Sequence, residues 1–203
     1  MTVALSQDSA GNTYQIWAQE QPDSCAIASM WMARCQAKQQ TFVEEEWELA
    51  WRMYQRVVQG VPPGFLKPAP APVCIDPNSP SLFNDQTTFY NMFGMAGTFA
   101  AQVVQALRND GLKATHVVGS GNFQSLNLAK VSDSTPAVVL LGWYYMVNGA
   151  LQRNGGHFVV AVNVLGNRIV YLDPWGGVLN EFGNNTRYDT NGYIEEIIYV
   201  SAA

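Results

Sequence analysis

Apolar residues recur at helical spacing in the first half of the chain and run almost continuously in the second. From Cys25 to about Lys38, Ile27, Met30 and Trp31 fall on one stripe with Arg34, which predicts a helix with Ser24 as its N-cap. Thr41 and Glu44 form a T-x-x-E capping box that predicts a second helix to about Val58, its apolar stripe built from Trp47, Trp51 and Tyr54. Glu44, Glu45 and Glu46 fall in its first turn, where the helix dipole favours anions; an acidic binding patch is the other reading of that run. A third helix is expected from Thr98 to Asp110, closed by Gly111. Strands are then expected at Leu112–Val118, Ala137–Met146, His157–Val164, Arg168–Leu172 and Tyr193–Val200, with a short helix from Asn122 to about Val131 between the first two. Gly166-Asn167 is a two-residue turn between strands. Helices first and an antiparallel sheet second is the α+β pattern, here in one domain of 203 residues. Its expected parts are a flexible lead over 1–14, a helical half over about 15–110 and a β half over about 111–203.

Seven prolines between Gly60 and Pro80 interrupt this order. Such a stretch is extended and cannot be helix. It reads as an ordered crossing loop, a linker, a partner ligand or a lid.

Composition narrows the function classes. Hydrophobic residues make up 48% of the chain and charged residues only 13%, about half the usual charged share. The longest apolar run, Pro136 to Val147, is too short to span a membrane as a helix. With 6 Trp, 9 Tyr and 9 Phe there is ample material for a core, so disorder is excluded. A net charge of −5 argues against nucleic acid as a partner. A neutral, amide-rich and aromatic surface suits recognition by shape and hydrogen bonding, with little electrostatic steering.

The N-terminal residues have neither a basic region nor an apolar stretch of useful length, so no classical secretory signal is expected. That leaves a cytoplasmic protein or one exported by a specialised route. Three cysteines, Cys25, Cys35 and Cys74, do not form a disulfide framework. Cys25 and Cys35 are ten residues apart on one predicted helix, a rise of about 15 Å that forbids their pairing.

With two histidines in the chain, candidate catalysis is quickly enumerated. His157 opens an apolar strand in Gly155-Gly156-His157-Phe158-Val159-Val160, and Asp173 ends the next one in Tyr171-Leu172-Asp173-Pro174-Trp175. Pairing outward from Gly166-Asn167, opposed positions sum to about 333, so 157 pairs near 176 and an imidazole comes within reach of a carboxylate. A carboxylate that fixes a histidine tautomer is the back half of a nucleophile–base–orienter set. Cys25, in the first turn of its helix, supplies the front half, since unpaired N–H groups and the positive dipole end stabilise a thiolate. The plainer alternative for Cys25 is a small buried hydrophobe. His116, inside a predicted strand, reads as a packed or surface residue. No zinc site can be composed from two histidines so placed, and no metal or cofactor is expected. Gly176-Gly177 reads as a tight turn, because no phosphate-loop pattern surrounds it. Trp175 either shields the His–Asp pair from water or caps the core.

The segment Gln19-Glu20-Gln21-Pro22-Asp23-Ser24-Cys25-Ala26 resembles the nucleophile segment of papain-like cysteine peptidases, in particular the compact bacterial members: bacteriocin leader peptidases and papain-like effector proteases. Gln19 lies six residues before Cys25, where the family places a glutamine that donates to the oxyanion hole. Gln21 is an alternative donor. Gly156-His157-Phe158-Val159-Val160 matches the context of the family's histidine, and Asp173 follows sixteen residues later, where the family has Asn or Asp. Ser24-Cys25-Ala26 departs from the Asp-Cys-Gly usual in leader peptidases, so their double-glycine preference is not carried over. The resemblance implies a two-lobe papain-like fold and hydrolysis of peptide or amide bonds in a polypeptide substrate. In that scheme Cys25 is the nucleophile, His157 the acid–base, Asp173 its orienter and Gln19 the oxyanion donor. It also implies a bacterial effector or toxin role for so compact a chain. A peptidoglycan amidase or acyltransferase using the same residues, and an inactive papain-like binding module, stand as alternatives.

Overall fold

A computed structural model of the chain describes residues 3–20, 24–46, 49, 98–119, 126, 128–183 and 187–203. Two short strands, β1 (Val3–Gln7) and β2 (Thr13–Trp17), form an antiparallel hairpin. Helix α1 (Cys25–Lys38) and helix α2 (Ala100–Asn109) follow. A six-stranded sheet is built from β3 (Leu112–Val118), β4 (Ala137–Val147), β5 (Ala150–Leu165), β6 (Arg168–Asp173), β7 (Val178–Phe182) and β8 (Gly192–Ala202). Its spatial order is β3-β8-β4-β5-β6-β7, every neighbour antiparallel. The described residues are thus α+β, with two helices and a mostly antiparallel sheet.

The sheet is apolar on both faces at its centre, which is why β4 and the second half of β5 read as nearly continuous apolar runs. One face packs on α1: Ile27, Met30, Trp31 and Ala33 share a core with Val138, Phe158, Val160, Val162, Leu172 and Ile198. The other face holds Val139, Leu141, Val159, Ala161, Tyr171 and Ile197, covered by Leu126, Leu128, Val131 and Tyr188. Helix α1 is buried nearly all round, since the N-terminal hairpin adds Tyr14, Ile16 and Trp17 to the first core. Helix α1 and one face of the sheet therefore share the first core.

Several expectations change at the element boundaries. Residues 1–14 were expected as a flexible lead; from Val3 on, β1, a turn and the start of β2 stand there, tied by Asp8, whose carboxylate accepts from Asn12 and from the Tyr14 hydroxyl. Ser24 is the N-cap of α1 as expected, its carbonyl accepting the Ala28 amide at 3.1 Å, but its side chain makes no capping bond. Residues 41–45 are not helical; helical backbone appears at 46 and 49, with the Leu49 amide bonded to the Glu45 carbonyl. The T-x-x-E box is dismantled by tertiary partners: Thr41 receives the Gln15 amide, and Glu44 pairs with the buried Arg34 guanidinium. Glu46 is buried and accepts the Glu20 backbone N–H, so it forms no part of an exposed acidic patch. Residues 126 and 128–131 are not helical, and Leu126, Leu128 and Val131 join the second core; the rest of the helix expected from Asn122 lies outside the described residues. Strand β7 replaces expected loop, and β5 begins seven residues earlier than predicted. The remainder of the second predicted helix, the proline-rich segment 60–80, Cys74 and Gln21 lie outside the described residues.

Candidate active site

Two turns bring His157 to its position. Asn148-Gly149, with φ of 52° and 80°, closes the β4–β5 hairpin in the left-handed region that such two-residue turns require. That register sets His157 opposite Leu141, inside the strand and not at its start. On the other side, β5 pairs with β6 from Leu165↔Arg168 to Val160↔Leu172. Strand β6 ends at Asp173 for a local reason: Pro174 has no N–H to continue a ladder, and the Asp173 carboxylate takes the Trp175 N–H at 2.8 Å in a turn of its own. His157 Nε2–H donates to Asp173 Oδ1 at 2.7 Å, and both side chains are buried.

Cys25 opens α1 and is half-buried against the first core. Its sulfur is in hydrogen-bonding contact with the His157 side chain. Because Nε2 is committed to Asp173, Nδ1 is the ring nitrogen left for sulfur. Burial alone would push the imidazole down; the hydrogen bonds to Asp173 and Cys25 and the charges of both outweigh it, and the group is raised to about 9. Cys35, on the same helix, is buried, and burial pushes its thiol up to about 11. The two cysteines therefore sit in opposite settings: one faces an imidazole, the other apolar packing.

Gln19 is held by its backbone, whose N–H donates to the Pro174 carbonyl at 2.9 Å. The segment before Cys25 is thereby fastened to the turn after Asp173. Gly176 and Gly177, with φ of 79° and 65°, make the expected tight turn there. Trp175 is 63% exposed, so it does not cap the core; its ring meets the His157 ring edge-on with centroids 6.4 Å apart.

Three further residues line or back this cluster and were not among the candidates read from the sequence. Trp143 lies nearly parallel to the imidazole, with centroids 6.3 Å apart and planes 19° apart. Reading Asn148-Gly149 as a hairpin turn would have found it, since that register pairs the Trp143 region with the residues just before His157. Tyr188 O–H donates to Asp173 Oδ2 at 2.5 Å, and Asn180 Nδ2–H donates to the Tyr188 oxygen at 2.6 Å. Tyr188 sits on a loop outside the regular strands, so no periodicity marks it. His116, the other histidine, pairs with Glu196 across β3 and β8 at 2.5 Å, as a partly exposed surface residue.

An imidazole held between a carboxylate and a thiol can carry a proton from sulfur to a leaving group, and the carboxylate fixes the tautomer that allows it. The positive end of α1 lies at the sulfur.

No family model matches the sequence, and no curated protein matches it. Among solved structures the chain is similar to the peptidase domain of Streptococcus ComA, a bi-functional ABC transporter involved in a quorum-sensing pathway, at 10% identity and a TM-score of 0.47, over 94% of this chain and 99% of that one.

Proposed function

We propose that the chain is a cysteine peptidase that hydrolyses peptide or amide bonds through a covalent thioester. The observation that carries this reading is the His157 side chain in contact with Cys25 on one side and bonded through Nε2 to Asp173 on the other. In the reaction the Cys25 thiolate attacks the carbonyl carbon and its oxygen takes the charge. His157 protonates the leaving amine as the C–N bond breaks, and the acyl group stays on sulfur. A water, its proton taken by His157, then releases the acid and regenerates the thiol–imidazole pair. Asp173 orients the imidazole and stabilises its charge. The Cys25 backbone N–H, at the open end of α1, and the Gln19 amide are the proposed oxyanion donors. Polypeptide is the proposed substrate class.

The test is alkylation followed by turnover. Iodoacetamide should modify Cys25 at pH 6 much faster than an unperturbed thiol, and the wild-type protein should cleave casein. A Cys25 that reacts no faster than free cysteine at that pH overturns the reading.

A further inference from the structure

We propose that Tyr188, backed by Asn180, is a positioning residue that acts through Asp173: its hydroxyl shares the carboxylate's charge and so sets how tightly His157 holds its proton. The inference rests on the proposed thiol–imidazole chemistry only for its functional consequence.

Asp173 is buried, so its charge must be satisfied locally. Its two oxygens are used differently. Oδ1 accepts both His157 Nε2–H, at 2.7 Å, and the Trp175 N–H, at 2.8 Å. Oδ2 accepts the Tyr188 O–H at 2.5 Å. The backbone amide of Trp175 already fixes Oδ1 toward His157, so the orientation of the carboxylate does not depend on Tyr188. What Tyr188 adds is a neutral donor that draws charge from the oxygen facing away from the imidazole. Asn180 strengthens that donor, because a hydroxyl that accepts a hydrogen bond donates a stronger one.

The tyrosine is held in place for this task. Its ring packs edge-on against Tyr171, Phe182 and Trp143, with centroids 5.1, 4.8 and 6.3 Å away. Its N–H donates to the Gly192 carbonyl at 2.8 Å. Burial and the neighbouring Asp173 charge both push its hydroxyl up, so it remains a donor across the working pH range. Among the described residues, other titratable groups facing the His157–Asp173–Tyr188 line are Cys25, from α1, Tyr171, from β6 against the Tyr188 ring, and Asp189, beside Tyr188 on its loop.

Removing the hydroxyl leaves the Asp173 charge concentrated on the His157 side, so the imidazolium is held more tightly. The experiment is an NMR titration of the imidazole in the intact protein. Two histidines give two signals, and His116→Gln identifies the one to disregard. In Tyr188→Phe the His157 midpoint should rise by on the order of half a pH unit or more. In Asn180→Ala it should rise by less in the same direction, and this variant carries the test if Tyr188→Phe does not fold. A midpoint unchanged or lowered in the folded variants overturns the proposal. The readout needs no turnover: a chain that cleaves nothing but shows both shifts keeps this inference and loses the peptidase reading. A chain that cleaves casein but shows no shift does the reverse.

Discussion

His157 Nε2 lies 2.7 Å from Asp173 Oδ1 although the ladder between their strands stops at Val160 and Leu172. The pairs nearest the Gly166-Asn167 turn sum to 333, as Leu165↔Arg168 and Val164↔Ile169 do. A bulge between Ala161 and Asn163 then drops the sum to 332 at Ala161↔Tyr171. Continued, that register would set position 157 opposite 175, which makes Asp173 its diagonal neighbour, within reach of two side chains leaning toward each other. The contact belongs to the end of the sheet, where β6 has turned away and the imidazole is open toward α1.

Asp173→Asn should therefore remove function without removing the fold. The amide keeps the shape and can still accept from Trp175, but it carries no charge to hold the imidazolium. Casein hydrolysis should fall by roughly 100-fold or more, and the His157 midpoint should drop, while the melting temperature changes by only a few degrees. An Asp173→Asn protein with wild-type turnover would show that an amide orients the imidazole as well as the charged carboxylate does.

The two described cysteines should separate under alkylation. At neutral pH and short exposure, mass spectrometry should find the label on Cys25 and not on Cys35, whose thiol is buried and raised to about 11. Cys25→Ala should abolish hydrolysis and Cys35→Ala should retain it. Equal labelling of both would contradict the burial contrast on which the assignment depends.

The contact between His157 and Asp173 and the helix start at Cys25 were legible because local signals carried them. An apolar helix begins at Cys25, a Gly-Asn turn sets one hairpin, and an Asp-Pro pair ends a strand; each is read from neighbours in the chain. The losses share one cause, which is competition from partners distant in sequence. Thr41 and Glu44 formed a sound capping box until Gln15 and Arg34 claimed their side chains. Strand β7 and the hairpin β1–β2 have mixed, short patterns, and their pairing partners rather than their propensities decide them. Tyr188 is invisible for the same reason, since its role exists only through Asp173 and Asn180.

Gly177 offers a test of how the segment before Cys25 is seated. Its φ of 65° already disfavours any side chain, and a Cβ there would lie 2.9 Å from the Ala18 Cβ and 3.4 Å from the Ala18 backbone. Neither neighbour is a flexible side-chain end, so the strand leading to Gln19 must shift. Gly177→Ala should cost about 1–3 kcal/mol of stability, read by denaturant melts. It should also lower kcat, because the Gln19 N–H is anchored to Pro174 in the same turn. A stable variant with unchanged kcat would show that this seat is not needed for turnover.

The raised His157 makes a final prediction about stability against pH. The ordinary value is 6.5 and the folded value is about 9, so the fold favours the protonated imidazole. A group raised on folding contributes its full stabilisation below its unfolded value and loses it as pH rises through the folded value. Unfolding free energy should thus be highest below about pH 6.5 and decline between there and about pH 9, by on the order of 3 kcal/mol if His157 acts alone. Cys25→Ala supplies the control, since it removes one of the two groups that hold the proton. In that variant the midpoint should fall and the decline between pH 6.5 and 9 should shrink, while the buried Asp173 contact keeps part of it. A wild-type protein whose stability rises over this window would mean that the imidazole is held neutral, and with it the proton that the leaving amine needs would be missing.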